Sequence, residues 1–173
     1  LWALPLLANH IQQKYETTNM TIVSPDAGRV RVADQWADRL GAALAIIHKR
    51  RDPNVAHKVK IHEVVGEVEG HTCLLVDDMI DTAGTITQAA EALLANGAER
   101  VIVAATHAVL SGPAVDRLKN SQIGEVVVTN TLPIPEERRF DKLTVLSIAP
   151  LLARAIHEVF EDGSVTSLFD GNA

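Results

Sequence analysis

Three acidic side chains crowd the end of an apolar run in the segment CLLVDDMIDTAGTITQAA, residues 73–90. Asp77 and Asp78 follow the run directly, and Asp81 comes shortly after them. Paired carboxylates at the end of a buried strand usually have a bound cation, ligand hydroxyls or Lys/Arg side chains as partners. Sugar hydroxyls and a hydrated Mg²⁺ ion would suit Asp77 and Asp78. Because adjacent residues of a strand point to opposite faces, a structural role for one of the two is the alternative.

The segment DTAGT, residues 81–85, has the composition of a phosphate-binding turn. Gly84 lets the backbone approach a ligand closely, and a helical pattern begins beside it. The exposed N–H groups and the dipole at such a helix start favour a phosphate. The alternative is an ordinary strand–turn–helix connection in which Thr82 or Thr85 caps the helix.

A second segment, SPDAGR at residues 24–29, repeats this logic after another predicted strand. It combines a proline, a carboxylate at Asp26 and a glycine at Gly28 ahead of a helix. Its backbone amides could cradle a second phosphate group, and Asp26 could hold a metal ion. The alternative is a plain turn in which Asp26 is the N-cap.

A third segment, HKRRD at residues 48–52, places three cations in a row. The polar stretch from 49 to 63 shows no apolar period and is predicted to be a loop. Two interpretations stay open: cations on a mobile loop that clamp phosphate groups, or a solvated charged face. HEVVG at 62–66 is not the H-E-x-x-H zinc motif, and the chain contains no G-x-x-x-x-G-K-[ST] P-loop.

The elements that must position these segments alternate between short apolar runs and helical patterns, which indicates an α/β fold with a mostly parallel, twisted sheet covered by helices on both faces. The predicted strands are 21–24, 43–48, 72–77, 100–107, 125–130 and 143–149. The predicted helices are 28–40, 82–96, 111–120 and 150–162. We further expect Ser111 to cap the third of these helices and Pro150 to lie in the first turn of the fourth.

Helical spacing is clearest in residues 82–96, where a stripe of apolar residues predicts a core-facing side. The stripe consists of Ile86, Ala89, Ala90, Leu93 and Leu94. An amphipathic helix is also predicted near the start of the chain, from the spacing of Leu4, Leu7, Ala8 and Ile11.

The three polar segments all follow predicted strands. In open α/β sheets, ligands bind outside the carboxyl ends of the strands. Residues 24–29, 48–52 and 77–85 are therefore expected to converge on one edge of the sheet.

Composition limits the function classes. A chain of 173 residues with 47% hydrophobic and 22% charged residues is typical of one globular domain. A net charge of −6 gives no electrostatic reason to expect nucleic acid or an anionic membrane surface as a partner. No apolar stretch is long enough to predict a membrane span. The single cysteine, Cys73, is predicted to be a buried core residue and suits a reducing, cytoplasmic location.

VDDMIDTAGT resembles the ribose-phosphate-binding signature of the type I phosphoribosyltransferase fold. SPDAG, KRR, THAVLSGPA and the tail SVTSLF, in this order and spacing, resemble the C-terminal half of the ribose-phosphate pyrophosphokinases, also called phosphoribosyl pyrophosphate synthetases. The resemblance covers essentially residues 1–173, which would form one ribose-phosphate-binding domain. The chain lacks an initial Met and begins within a helical pattern, which predicts a piece of a longer two-domain enzyme whose N-terminal half is absent.

The resemblance implies an enzyme that transfers the diphosphoryl group of ATP to the anomeric hydroxyl of ribose 5-phosphate, with Mg²⁺ as cofactor, to give phosphoribosyl pyrophosphate and AMP. The piece by itself is expected to be inactive, because the family's N-terminal half carries most ATP contacts. The family also implies a homo-oligomer, a hexamer built from dimers, with regulatory nucleotide or phosphate sites near subunit interfaces.

Site residues follow from the same resemblance. The residues that would hold the 5-phosphate are Asp81, Thr82, Ala83, Gly84 and Thr85. Those that would face the ribose hydroxyls and the metal ion are Asp77 and Asp78. The residues of the pyrophosphate loop would be Ser24, Asp26, Ala27 and Gly28, of which Asp26 matches the metal-binding aspartate. Lys49 matches the catalytic lysine and Arg51 the arginine near the ribose phosphate, and the resemblance implies a catalytic role for both.

One position departs from the family: a second glycine often follows Gly28, and here it is Arg29. Two alternative functions stay open. A phosphoribosyltransferase would use the same ribose-phosphate signature, and a non-catalytic, synthetase-associated regulatory subunit would keep the fold without the chemistry.

Overall fold

The computed structural model describes residues 1–51 and 60–169, with the backbone but not the side chains of 49–51, 60–62, 167 and 169. The described residues form seven strands: β1 (Met20–Ser24), β2 (Ala43–Arg51), β3 (Lys60–Val65), β4 (Thr72–Ile80), β5 (Arg100–Ala108), β6 (Glu125–Thr129) and β7 (Leu143–Leu146). Their α-helices are α1 (Leu4–Lys14), α2 (Val30–Leu40), α3 (Gly84–Ala95), α4 (Ala114–Asn120) and α5 (Ala149–Phe160).

The strands make one sheet in the order β3-β2-β1-β4-β5-β6-β7. Every neighbouring pair is parallel except β2 and β3, which are antiparallel. This confirms the predicted α/β class with a mostly parallel sheet. The strand order reverses at β1, because β2 lies on one side of it and β4 on the other. Such a reversal is the place where open α/β sheets bind ligands.

Helices cover both faces of this sheet, so a central strand must be apolar on both sides. In β4, Cys73 and Leu75 pack into the core beneath α3 and α4, whereas Leu74 and Val76 pack into the core beneath α1 and α2. This alternation explains why the sequence shows an unbroken apolar run there. Cys73 is fully buried as predicted, and burial raises the pKa of its thiol to about 12.

Both predicted amphipathic stripes are confirmed. Of the apolar residues predicted for α3, four are buried and Leu94 packs partly buried against the same core. In α1 the predicted residues are the buried ones, namely Leu4, Leu7, Ala8 and Ile11.

The stretch from 49 to 63 differs most from its sequence prediction. It was predicted to be a loop, but β2 continues to Arg51 and β3 covers Lys60–Val65. The two strands pair antiparallel at the end of the sheet, with Ile46 opposite Val65. Edge strands are often polar, because only one of their edges is paired and charged side chains protect the other. The polar composition of residues 49–63 is therefore compatible with the end of β2 and with β3, although it predicts a loop. Residues 52–59 lie outside the described residues.

Smaller corrections concern element ends. β4 runs on to Ile80, and β7 ends at Leu146 instead of 149 because α5 begins at Ala149. Pro150 lies in the first turn of α5 as predicted. Ser111 does not cap α4, since the N-cap position is Pro113 and no side chain caps this helix. Within the described part of the chain, no helix combines the length and apolar composition needed to cross a bilayer.

Candidate functional site

Two of the polar segments meet where the strand order reverses. β1 and β4 are hydrogen-bonded parallel neighbours, with Val23 opposite Leu75. Since parallel strands end at the same edge, the segments at their carboxyl ends, 24–29 and 77–85, lie side by side. The expected convergence of these two segments is therefore confirmed.

The loop after β1 is a tight turn stabilised from within. Ser24 is buried, and its hydroxyl donates to the backbone carbonyl of Asp26 at 2.7 Å. The Asp26 carboxylate accepts the N–H of Gly28 at 2.8 Å and caps the short 3₁₀ turn Ala27–Arg29. Ala27 and Gly28 are exposed at the surface of this turn. The predicted N-cap role of Asp26 is thus present, and its second carboxylate oxygen could still take a ligand.

The loop after β4 gives α3 an unusual start. The N-cap is Ala83, in the left-handed conformation with φ of 59°, and no side chain caps the helix. The expectation that Thr82 or Thr85 caps α3 is therefore wrong, and both side chains are exposed. The first-turn amides of α3 have no intrahelical partner and are not satisfied by a cap. They are available to an anion, as the phosphate hypothesis requires.

A second turn, which contains Leu110 and Gly112, braces residues 81–85, the candidate phosphate loop. The N–H of Leu110 donates to the carbonyl of Ile80 at 2.9 Å, and the N–H of Ser111 donates to the carbonyl of Asp81 at 3.0 Å. Leu110 and Gly112 both have positive φ, 52° and 51°. The turn within the segment THAVLSGPA therefore fixes the carbonyls of Ile80 and Asp81, which precede α3.

Arg117 on α4 also contacts the candidate phosphate loop, and the sequence did not predict this contact. Its Nη1 donates to the carbonyl of Thr82 at 2.9 Å. A Cβ atom on Gly84 would stand 3.2 Å from the same nitrogen, so the glycine leaves room for the guanidinium. Since 35 residues separate Arg117 from Thr82, no local pattern could have linked the two. A guanidinium with further N–H donors thus lies beside the amides expected to hold phosphate.

The two adjacent aspartates share an arginine. Arg29 Nη2 lies 2.7 Å from Asp78 Oδ2, and Arg29 Nε lies 3.5 Å from Asp77 Oδ1. Asp77 Oδ1 also accepts the N–H of Asp78 at 2.8 Å. One guanidinium therefore contacts both carboxylates, and this contact is compatible with a ligand-binding role and with a structural role for either aspartate. Asp78 Oδ1 is buried and has no hydrogen-bond partner among the described residues.

The pair titrates unequally because its members differ in burial. Burial raises the pKa of Asp77 to about 6, and the neighbouring Asp78 charge adds to this. Burial also acts on Asp78, but the hydrogen bond with Asp77 and the charge of Arg29 outweigh it and lower the pKa of Asp78. Asp78 is therefore the carboxylate that stays ionised, and Asp77 is the one that takes up a proton more easily.

The remaining predicted site residues differ in how fully they are described. Asp81 is exposed on the loop before α3, beside Thr82. The backbones of Lys49 and Arg51 belong to the part of β2 that pairs with β3, beyond the pairing with β1 that ends at Ile46, but their side chains lie outside the described residues. Their predicted roles stay predictions.

The oxygen donors at this edge suit a cation that binds through few protein ligands. Among the described residues, no group of three or more His, Cys, Asp and Glu side chains is arranged to hold a metal ion. Mg²⁺ usually binds through one or two carboxylates together with water and substrate phosphates. Asp26 and the unpartnered Oδ1 of Asp78 supply such carboxylates, so the residues present fit Mg²⁺.

Comparison with known families gives one match over most of the chain. A family model described as "phosphoribosyl synthetase-associated domain" matches residues 51–170. The matched residues include the DTAGT loop, the bracing turn and α4.

Curated relatives extend the similarity to the whole chain. A ribose-phosphate pyrophosphokinase from Streptomyces coelicolor is 68% identical over 170 residues, which cover 98% of this chain and 52% of the relative. The chain spans about half the length of the curated relatives it matches.

Solved structures show a similarity to the same family of enzymes. Phosphoribosylpyrophosphate synthetase from Mycobacterium smegmatis superposes with a TM-score of 0.85 at 55% identity, over 93% of this chain and 51% of that one. Adenine phosphoribosyltransferase from Thermoanaerobacter pseudethanolicus superposes with a TM-score of 0.50 at 19% identity, over 73% of this chain and 77% of that one. The second similarity concerns the fold alone.

Proposed function

The chain belongs to the phosphoribosyl synthetase-associated domain family, and from this premise we propose that it is the ribose-phosphate-binding half of a ribose-phosphate pyrophosphokinase. The whole enzyme would transfer the diphosphoryl group of ATP to the anomeric hydroxyl of ribose 5-phosphate and release AMP. The observation that carries the proposal is the meeting of the two turns at the strand reversal, where Arg29 of the first turn contacts the acidic pair that precedes the second.

Each part of that site suits one part of the substrates. The uncapped start of α3 offers amides to the 5-phosphate, and Arg117 lies beside them. Asp77 and Asp78 offer carboxylate oxygens to the ribose hydroxyls. The turn after β1, with Asp26 and Gly28, would receive the pyrophosphate group.

Phosphoryl transfer depends chiefly on positioning and on neutralising charge. Asp26 and Asp78 would hold a Mg²⁺ ion, whose chemistry there is to neutralise phosphate oxygens. Lys49 and Arg51 would add positive charge from the neighbouring strand β2, the former as the catalytic lysine. The proposal also carries the family's remaining features: homo-oligomers, a hexamer among them, regulatory nucleotide or phosphate sites, and a cytoplasmic location.

The decisive experiment is an assay of the longer protein that contains this chain. Incubated with ATP, ribose 5-phosphate and Mg²⁺, it should form AMP and phosphoribosyl pyrophosphate in equal amounts. The competing phosphoribosyltransferase function predicts no AMP in this assay, and consumption of phosphoribosyl pyrophosphate when a nucleobase is supplied. A protein without either activity would support the regulatory-subunit alternative.

A further inference from the structure

Arg29 reaches from one substrate loop to the other. It is the last residue of the 3₁₀ turn after β1, yet its guanidinium contacts the acidic pair in β4. In the proposed function the first loop receives pyrophosphate and the second receives ribose. A single side chain therefore connects two subsites that must each admit a different part of the substrates.

The arginine uses only part of what the acidic pair offers. Arg29 Nη2 contacts Oδ2 of Asp78, whereas Oδ1 is buried and lacks a hydrogen-bond partner among the described residues. A buried acceptor without a donor is unfavourable. Ribose hydroxyls and the water shell of a divalent cation supply donors of the kind that this oxygen lacks.

Arg29 is also placed so that it can leave. Its side chain is 40% exposed, and so is that of Asp78, which means that water competes for this ion pair. The turn that would hold pyrophosphate, Ala27–Arg29, contains Arg29 itself. A phosphate group there would be a close alternative partner for the guanidinium, which binds phosphate oxygens well.

We propose that Arg29 is an exchangeable latch: it is the resident counter-ion of Asp77 and Asp78 in the ligand-free protein, and a divalent cation displaces it from Asp78. The inference rests on the proposed function and adds to it a residue that competes with the cation. Its consequence is quantitative. If only the unlatched fraction of molecules binds the cation, the apparent dissociation constant rises in inverse proportion to that fraction.

Cation affinity tests the latch directly. Mn²⁺, used as the probe for Mg²⁺, is titrated into the unmodified protein and into Arg29→Gln, and binding is followed by water-proton relaxation. We expect Arg29→Gln to bind Mn²⁺ about threefold to tenfold more tightly, because nothing then competes for Asp78. Arg29→Lys keeps the charge and should stay close to the unmodified protein.

The matched control is Arg31→Gln, which removes an exposed cation two residues further along the chain in α2 and should leave Mn²⁺ affinity unchanged. Equal or weaker binding by Arg29→Gln would overturn the latch. So would the absence of Mn²⁺ binding to both proteins at millimolar concentrations, since the pair would then not hold a cation even without the arginine.

A second measurement needs no variant that might fold poorly. The Nε–H signal of Arg29 is followed by ¹⁵N NMR in the unmodified protein while Mg²⁺ is added. Displacement predicts a saturable change of this signal, and a signal that stays constant while Mg²⁺ binds elsewhere rejects it. Failure of the proposed function appears separately, as a lack of ribose 5-phosphate binding in a metal-free titration.

Discussion

At the scale of single residues, the site is defined by side chains that reach between loops. Arg29 spans from the turn after β1 to the acidic pair, and Arg117 spans from α4 to the turn before α3. Both are cations among carbonyl and carboxylate oxygens, so each lowers the electrostatic cost of bringing further negative groups to this edge. A net charge of −6 for the whole chain does not reveal these local positive groups.

Substitution of Arg117 should affect phosphate recognition selectively. In Arg117→Gln the hydrogen bond to the carbonyl of Thr82 loses its charge, and a cation disappears beside the amides of α3. We expect ribose 5-phosphate to bind about tenfold more weakly, because a charged hydrogen bond contributes about 1.5–3 kcal/mol. Isothermal titration calorimetry of ribose 5-phosphate against each protein measures this.

The control for Arg117 is Lys119→Gln, which removes a nearby exposed cation of the same helix. It should leave the affinity within about twofold, as expected for a solvated surface charge. If both variants weaken binding equally, the effect comes from overall charge and Arg117 has no specific place in the phosphate loop.

Lys49 carries a prediction from sequence alone. In the longer protein, Lys49→Ala should reduce turnover about 100-fold or more while the unfolding midpoint changes little, since a group that neutralises charge in the transition state acts on kcat. Steady-state kinetics with ATP and ribose 5-phosphate test this. Turnover within a few-fold of the unmodified enzyme would make Lys49 a surface cation of β2.

At the scale of elements, a buried acid holds α1 against the sheet. Glu125, the first residue of β6, has a side chain only 6% exposed and accepts hydrogen bonds from Lys14 at 2.7 Å, from Thr144 at 2.5 Å and from Tyr15. Burial by itself would raise the pKa of Glu125, but these donors outweigh it and lower that pKa. Burial and the Glu125 contact together raise the pKa of Tyr15.

This acid predicts a pH-dependent contribution to stability. Because the pKa of Glu125 is lower in the folded protein, its stabilising effect is present above the unfolded pKa of about 4.3 and is lost as the pH falls through the folded value. Glu125→Gln should therefore cost about 2 kcal/mol at pH 7 and much less near pH 3. Urea unfolding at both pH values gives these differences.

The exposed Glu91 on α3 provides the control for Glu125. Glu91→Gln should change the free energy of unfolding by less than about 0.5 kcal/mol at either pH. A cost for Glu125→Gln that is the same at pH 7 and pH 3 would show that its ionised form does not stabilise the fold.

The start of α3 makes a further prediction about an element. Ala83 is 4% exposed and left-handed, a conformation in which a β-branched residue is strongly disfavoured. Ala83→Val should destabilise the protein by about 2–4 kcal/mol through backbone strain and overpacking. Thermal unfolding measures the loss.

Ala83→Gly is the matched comparison for this position. It relieves about 1 kcal/mol of left-handed strain but removes a buried methyl group and adds freedom to the unfolded chain, so the net change should stay within about 1 kcal/mol. A valine variant as stable as the glycine variant would contradict the left-handed geometry of the loop.

At the scale of the whole molecule, one continuous sheet positions the two loops that carry the candidate site. The strands that carry the two loops, β1 and β4, lie at the centre of the sheet, with further strands on both sides. The ribose-phosphate site should therefore be formed within this chain, whereas the relatives are about twice as long.

The 173-residue chain is accordingly expected to bind without turning over. Isothermal titration calorimetry should detect ribose 5-phosphate binding, and an AMP assay with ATP and ribose 5-phosphate should show no appreciable product, because the proposed function assigns most ATP contacts to the half that this chain does not contain. Ribose without the phosphate is the control ligand and should bind much more weakly. Normal turnover by this chain would refute the division of labour between the halves.

What the sequence determined by itself was the alternation of apolar strands and helices, the position of the polar turns after strands, and the family. These depend on local composition and on spacing, which a single chain displays directly. The edge strand β3 and the extension of β2 from Lys49 to Arg51 were not predicted, because an exposed edge tolerates polar residues that look like a loop. Only the tertiary structure decided that Arg29 contacts Asp77 and Asp78, and that Arg117 contacts Thr82. Contacts of that kind join residues far apart in the sequence, and the strand order that brings them together leaves no trace in local periodicity.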